Sequence, residues 1–130
     1  NGVLGGIHSG WSLEAFLGII FKPIAILMGV PLQDAGLIGG LLGKRMVINE
    51  FVAFSDLGQV PITMLTEHGR MIATFALCGF ANFSSIAIQL GGIGALIPER
   101  RGDLARLGFK AMIAGTLANF LSASIAGILY

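Results

Sequence analysis

Met71–Pro98 reads MIATFALCGFANFSSIAIQLGGIGALIP, 28 residues without Asp, Glu, Lys, Arg or His. The hydrocarbon core of a bilayer, about 30 Å thick, is crossed by about 20 residues of α-helix, so this run is long enough to span. Its centre is not uniformly apolar: Gly79-Phe80-Ala81-Asn82-Phe83-Ser84-Ser85 places an amide and two hydroxyls at mid-bilayer depth. In lipid those groups would lack donors and acceptors, and they need partners. One reading is hydrogen bonding to neighbouring helices. The other is a discontinuous helix, opened near Gly79, that offers backbone groups and Asn82 to a polar ligand at the midplane.

Working outward, Ala111–Tyr130 has no charge over 20 residues, and Ala15–Gln33 has only Lys22 over 19. Both are candidate spans, the second with Lys22 paired or snorkelling to an interface. The whole chain agrees: 130 residues are 55% hydrophobic and 12% charged, with mean hydropathy +0.85. That composition marks an all-α integral membrane protein. A net charge of +1 argues against a nucleic-acid partner, and the single Cys78 excludes an internal disulfide or a cysteine metal cluster. The opening Asn1-Gly2-Val3-Leu4 lacks an initiator Met and a signal-peptide pattern, so the chain reads as a fragment.

Between the first two spans, Asp34, Lys44, Arg45, Glu50, Asp56, Glu67, His68 and Arg70 interrupt an otherwise apolar stretch. Its arms, Ala35–Leu42 and about Phe51–Thr66, are each short for a full crossing, with Asn49-Glu50 between them. The spacing suits a re-entrant helical hairpin, which is tolerated at membrane depth where protein or a wet cavity surrounds it. An acid at helix-centre depth costs about 2.5 to 3.5 kcal/mol on insertion scales, which makes Glu50 a functional candidate. Its plain alternative is an interfacial carboxylate paired with Lys44 or Arg45. A carboxylate and a carboxamide at the midplane suit a polyhydroxylated ligand such as a sugar. Asp34 after Pro31-Leu32-Gln33 favours a helix start.

Arg100, Arg101, Arg106 and Lys110 crowd the last connection, and the positive-inside bias places a loop 99–110 in the cytoplasm. Ala114, Ala118, Ser122 and Ala126 form a small-residue stripe that lets another backbone approach the last helix. Other motifs fail on their chemistry. Gly39-Gly40-Leu41-Leu42-Gly43-Lys44-Arg45 has Arg where a phosphate-binding loop needs Ser or Thr, and reads as helix packing. Gly91-Gly92-Ile93-Gly94 lacks a strand-turn-helix setting and reads as a helix end or bend. Asn82-Phe83-Ser84 matches a glycosylation sequon but lies mid-span. His8 and His68 lack metal-ligand spacing and read as solvated, and no metal site is expected.

Asn49-Glu50-Phe51-Val52-Ala53-Phe54, followed by Ala76-Leu77-Cys78-Gly79-Phe80-Ala81-Asn82-Phe83-Ser84-Ser85-Ile86, resembles the concentrative nucleoside transporter family. The resemblance extends through Gly29-Val30-Pro31 and Gly91–Arg101, with Phe54 standing where the family often has Tyr. It implies a homotrimer in the cell (bacterial inner) membrane that moves nucleosides inward with sodium or protons. It implies two inverted repeats, each with a re-entrant hairpin and a broken helix. This chain resembles the second repeat plus the scaffold helix before it: a scaffold helix and preceding segment at 1–33, and a repeat at 34–130. Within the repeat, the hairpin lies at about 34–67, the broken helix at about 68–98 and the last transmembrane helix at about 104–130.

By the same resemblance Glu50 and Asn82 bind ribose hydroxyls, Ser85 assists at the sugar, and Phe80 packs against the base. No cofactor is implied, and the coupling-ion site, for Na+ or H+, lies outside this segment, in the N-terminal part of the transporter. There is no covalent chemistry and no catalytic residue, so the protein is not an enzyme. Two other readings stay open: a membrane helix-packing module with no ligand, and a transporter of another sugar-bearing substrate.

Overall fold

The structure, a computed structural model, describes residues 13–130. Residues 1–12, His8 included, lie outside the described residues. Six α-helices follow in order: α1 (Leu13–Leu27), α2 (Ala35–Val47), α3 (Glu50–Gln59), α4 (Glu67–Leu77), α5 (Phe83–Leu96) and α6 (Arg101–Leu129). Single 3₁₀ turns at Ile62–Met64 and Pro98–Arg100 join α3 to α4 and α5 to α6.

The window Ala15–Gln33 does not continue as one helix. Gly29 takes a left-handed φ of 96°, and the amides of Gly29 and Val30 bond back to the carbonyls of Ile26 and Ala25. This glycine-terminated closure satisfies the last carbonyls of α1 and turns the chain toward α2. Two helices then lie backbone to backbone. A Cβ on Gly39 would stand 2.9 Å from both the Gly18 carbonyl oxygen and the Lys22 amide, and one on Gly43 would collide with Leu17. The glycines of 39–43 therefore serve helix packing, as their sequence setting suggests.

α2 and α3 form a helical hairpin closed by Ile48 and Asn49 alone, the first arm running past Leu42 to Val47 and the second ending at Gln59, short of Thr66. The uncharged run 71–98 is divided between α4 and α5, which are separated by the non-helical residues 78–82. The segment 99–110, expected as a loop, is instead one 3₁₀ turn and the first turns of α6. Arg100 and Arg106 each reach Asp103 at helical spacing, which neutralises part of the basic cluster and lets the helix start early.

The buried core runs along α4, where Ile72, Ala73, Ala76 and Leu77 are wholly enclosed, and includes Phe21, Ile38, Leu42, Phe120 and Ala123. α6 meets it with Met112, Thr116, Phe120 and Ala123. The small-residue stripe is not that face: Ala114, Ala118 and Ser122 are exposed, about 200° around the helix from Met112, Thr116 and Phe120. The larger side chains fill the hollow beside α4, and the small ones are left outward. Pro98–Leu129 is long and apolar enough to cross a membrane. Its outward Leu117, Leu121, Ile125 and Ile128, with Phe16, Ile19 and Ile20 of α1, form apolar surface suited to lipid or to further helices.

Polar links place the hairpin against α4. The buried Asp34 carboxylate accepts from the Thr66 amide at 3.1 Å and from the Thr66 hydroxyl, and that hydroxyl accepts from the Gly69 amide at 2.9 Å. Asp34 does not cap its own helix by side chain; it charges the start of α4. Arg70 donates to the carbonyls of Leu57, Val60 and Pro61 at the end of α3. Lys44 pairs with Asp56 across the two arms. At the far end of α6, the Tyr130 ring lies against the His68 ring, with centroids 5.8 Å apart.

Candidate functional site

The hairpin tip is built by one side-chain cap. Asn49 is extended, and its side-chain oxygen accepts from the Val52 amide at 2.9 Å, which starts α3 abruptly. Glu50 is thereby the first residue of that helix, where the dipole favours a carboxylate.

Opposite it, α4 stops at Leu77. The Gly79 amide bonds back to the Leu77 carbonyl, and α5 begins only after Asn82. Asn82 repeats the role of Asn49: its Oδ1 accepts from the Ser85 amide at 2.8 Å and from the Ser85 hydroxyl at 2.9 Å. Its Nδ2 donates to Glu50 Oε2 at 2.7 Å. Two helix N-termini thus converge, joined by a carboxylate and a carboxamide. Asn82 is fully enclosed, and Glu50 is half-buried.

The same tip reaches the other broken end. Arg45 Nε donates to the Gly79 carbonyl at 3.2 Å, just past the C-terminus of α4. The guanidinium is completely buried, and its Nη2 has no hydrogen-bond partner among the described residues. The hairpin therefore sets a cation at the negative end of α4 and an anion at the positive end of α5, five residues apart in its own sequence. Among the described residues, Glu50 forms no ion pair with Lys44 or Arg45. Lys44 is committed to Asp56, and Glu50 bonds Asn82.

α6 backs the break from the other side. A Cβ on Gly79 would collide with the Asn119 carboxamide, and one on Gly115 would touch Ala81 at 3.3 Å. Beside this contact a cleft of about 260 Å³ opens between α5 and α6, lined by Phe80, Asn82, Ser85, Gln89 and Asn119 among others. Phe80 is 76% exposed, which leaves its ring available to a flat partner. The structure thus gathers Glu50, Asn82 and Ser85 into one bonded group, with Phe80 at its edge. Gln89 and Asn119 have no part in the site read from the sequence, where Arg45 enters only as an alternative ion-pair partner of Glu50. Arg45 has a usable signal, a basic residue between the apolar arm Ala35–Leu42 and Glu50, whereas Asn119 and Gln89 join only through the meeting of α5 and α6. Among the described residues, no three His, Cys, Asp or Glu side chains group as metal ligands.

Solved structures define the class first. The chain matches CNTnw in an inward-facing substrate-bound state with a TM-score of 0.83 and 46% identity, covering 98% of this chain and 33% of that one. It matches an intermediate state of CNTnw with a TM-score of 0.87 and 46% identity, covering 100% and 34%. The fold is that of an all-helical membrane transporter. Residues 1–127 match the family described as "Na+ dependent nucleoside transporter C-terminus", and the chain belongs to that family. It is 53% identical to the uncharacterized transporter YutK of Bacillus subtilis over 98% of this chain and 33% of that protein. It is 45% identical to the nucleoside permease NupC of Helicobacter pylori over 90% of this chain and 29% of that one. With the sodium/nucleoside cotransporter 1 of Rattus norvegicus the identity is 38%, over 93% and 21%. The chain spans about a third of the length of the bacterial relatives. These relatives are transporters and permeases, not enzymes.

Proposed function

We propose that this chain is the C-terminal part of a cation-coupled nucleoside transporter and supplies the ribose-binding half of its substrate site. The observation that carries the reading is the Glu50–Asn82 hydrogen bond between two converging helix N-termini. Oε2 of Glu50 is engaged by Asn82, so Oε1 accepts from a sugar hydroxyl. Ser85 lies beside the same amide and offers a second hydroxyl contact, while the exposed Phe80 ring packs against the base. Positive helix ends and a carboxylate held at fixed separation supply directional contacts without reorganisation when the sugar enters.

In this reading α2 and α3 enter the membrane as a re-entrant hairpin, and α4 and α5 are the halves of a discontinuous transmembrane helix. Residues 34–130 form the second of two inverted repeats, residues 1–33 supply a scaffold helix, and residues 99–110 face the cytoplasm of a bacterial cell. The N-terminal part contributes most base contacts and the cation site, and the assembly is a homotrimer. The family description supports sodium as the coupling ion over a proton. Alternating access carries the loaded core past the scaffold, so no covalent step is required.

The opposing reading, a helix-packing module, draws on the fact that Asn82 Oδ1 is spent on the cap of α5. Equilibrium binding of uridine to the full-length parent protein separates the two. Loss of measurable binding on Asn82→Ala is expected, whereas a packing module binds no nucleoside in either form. A non-nucleoside sugar that displaces uridine at equal affinity would shift the substrate class.

A further inference from the structure

The hairpin carries two charges at its tip, and the ribose reading uses only Glu50. We propose that Arg45 is a positioning residue for the substrate site, holding the α4–α5 break open by fixing the Gly79 carbonyl, and so setting where Phe80 and Asn82 stand. This rests on the ribose reading above and extends it to a residue that does not itself touch the sugar.

Three observations converge on Arg45. First, it lies wholly enclosed at the tip of the hairpin, on the helix preceding the Asn49 cap. A buried guanidinium with an unpartnered Nη2 is a costly group to keep for packing alone. Second, its Nε bond goes to the carbonyl of Gly79, one residue before Phe80 and three before Asn82. Third, Gly79 is held from the far side as well, because the Asn119 carboxamide occupies the space where a Cβ would stand. The peptide at Gly79 is thus gripped between the hairpin and α6. A carbonyl freed by the break would otherwise seek the amide of a continuing helix, and closing the break in that way would carry Asn82 out of its cap geometry.

The charge order makes the grip a two-point one. Arg45 faces the end of α4, where the dipole is negative, and Glu50 faces the start of α5, where it is positive. Hairpin and broken helix are therefore tied together on both sides of the break.

The test uses the full-length transporter with Arg45→Lys, Arg45→Gln and Arg45→Met, each alone and combined with Phe80→Ala, and with Asn82→Ala alone. Uridine binding is read by equilibrium titration, and folding by thermal midpoint and elution profile. Arg45→Gln and Arg45→Met should weaken binding about tenfold or more, while Arg45→Lys, which keeps one charged donor for Gly79, should stay within about threefold of the parent. In the Arg45→Gln and Arg45→Met variants combined with Phe80→Ala, the combined loss should fall short of the product of the single losses. A folded Arg45→Gln or Arg45→Met protein with parental affinity, or losses that multiply in full, overturns the proposal. If neither variant folds, Arg45→Lys decides: a parental thermal midpoint with affinity lost about tenfold also overturns it, since one donor on that carbonyl is all the geometry asks. Should Asn82→Ala itself leave uridine binding intact, the ribose reading fails first; if Asn82→Ala weakens binding and Arg45→Met does not, only the role of Arg45 fails.

Discussion

Glu50 and Asn82 stand 32 residues apart in the chain and 2.7 Å apart in space, carboxylate oxygen to carboxamide nitrogen. Each occupies the first position of a helix or the cap before it, so the contact also brings two positive helix ends together. A carboxylate is the group that makes such a meeting favourable, because two helix N-termini facing one another without it would repel.

If these groups bond ribose, an analogue lacking the contacted hydroxyl binds the parent transporter more weakly, by about 1 to 3 kcal/mol for a buried group left unpaired. Deoxyuridines lacking the 2′ or the 3′ hydroxyl, titrated against uridine, show which one is read. The penalty largely disappears in Glu50→Gln. Equal affinities for all three ligands in the parent would end the ribose assignment.

Asn82 performs two tasks that substitution can separate. Asn82→Ala removes the α5 cap and is expected to cost about 0.5 to 2 kcal/mol of stability along with nucleoside affinity. Asn82→Ser restores a cap oxygen without the donor for Glu50. Thermal midpoints should therefore recover in Asn82→Ser while binding does not.

Asp34 is a purely structural counterpart. Its enclosed carboxylate is the acceptor for both the amide and the hydroxyl of Thr66, and Asp34→Ala leaves that pair without it. A loss of about 1 to 3 kcal/mol is expected, read as a lower thermal midpoint, with Asp34→Asn in between. Residual protein that folds should still bind uridine with parental affinity.

Two glycines on one helix provide a paired control. Gly36→Ala meets nothing within 4 Å, and removing a helical glycine there should be neutral or stabilising by up to about 1 kcal/mol. Gly39→Ala pushes a methyl into the α1 backbone and should cost about 1 to 3 kcal/mol through overpacking. Midpoints that move together in the two variants would contradict the observed approach of α1 and α2.

The orientation rests on Arg100, Arg101, Arg106 and Lys110. Gly102→Cys, in a background with Cys78 replaced, should react with a membrane-impermeant thiol reagent only from the cytoplasmic face. Gly102 is exposed at the start of α6, so accessibility is not limiting. Reaction in intact cells would reverse the topology.

Residue type carried much of this from the sequence. Polar groups inside uncharged runs flagged Glu50, Asn82 and Ser85, because such groups need partners wherever they are buried. The helix break near Gly79 was legible for the same reason. Helix limits were less so: α1 stops at Leu27 because Gly29 closes it, and α6 begins at Arg101 within a cluster that looked like a loop. Pairings across distance were not legible at all. Arg45 to Gly79, Arg70 to the end of α3 and Asn119 behind the break depend on how helices cross, which no local pattern encodes. The stripe of Ala114, Ala118 and Ser122 lies on the face of α6 turned away from this core, open to another backbone.

The seam between α1 and α2 bears on movement. Where Gly18 and Gly39 bring main chain against main chain, no Cβ stands between the two helices. Such a seam resists being pulled apart, because the surfaces touch closely, yet opposes little to sliding along its length. In the transporter proposed above this seam lies between the scaffold helix and the hairpin, and Leu17 over Gly43 is a contact that sliding along it would have to break.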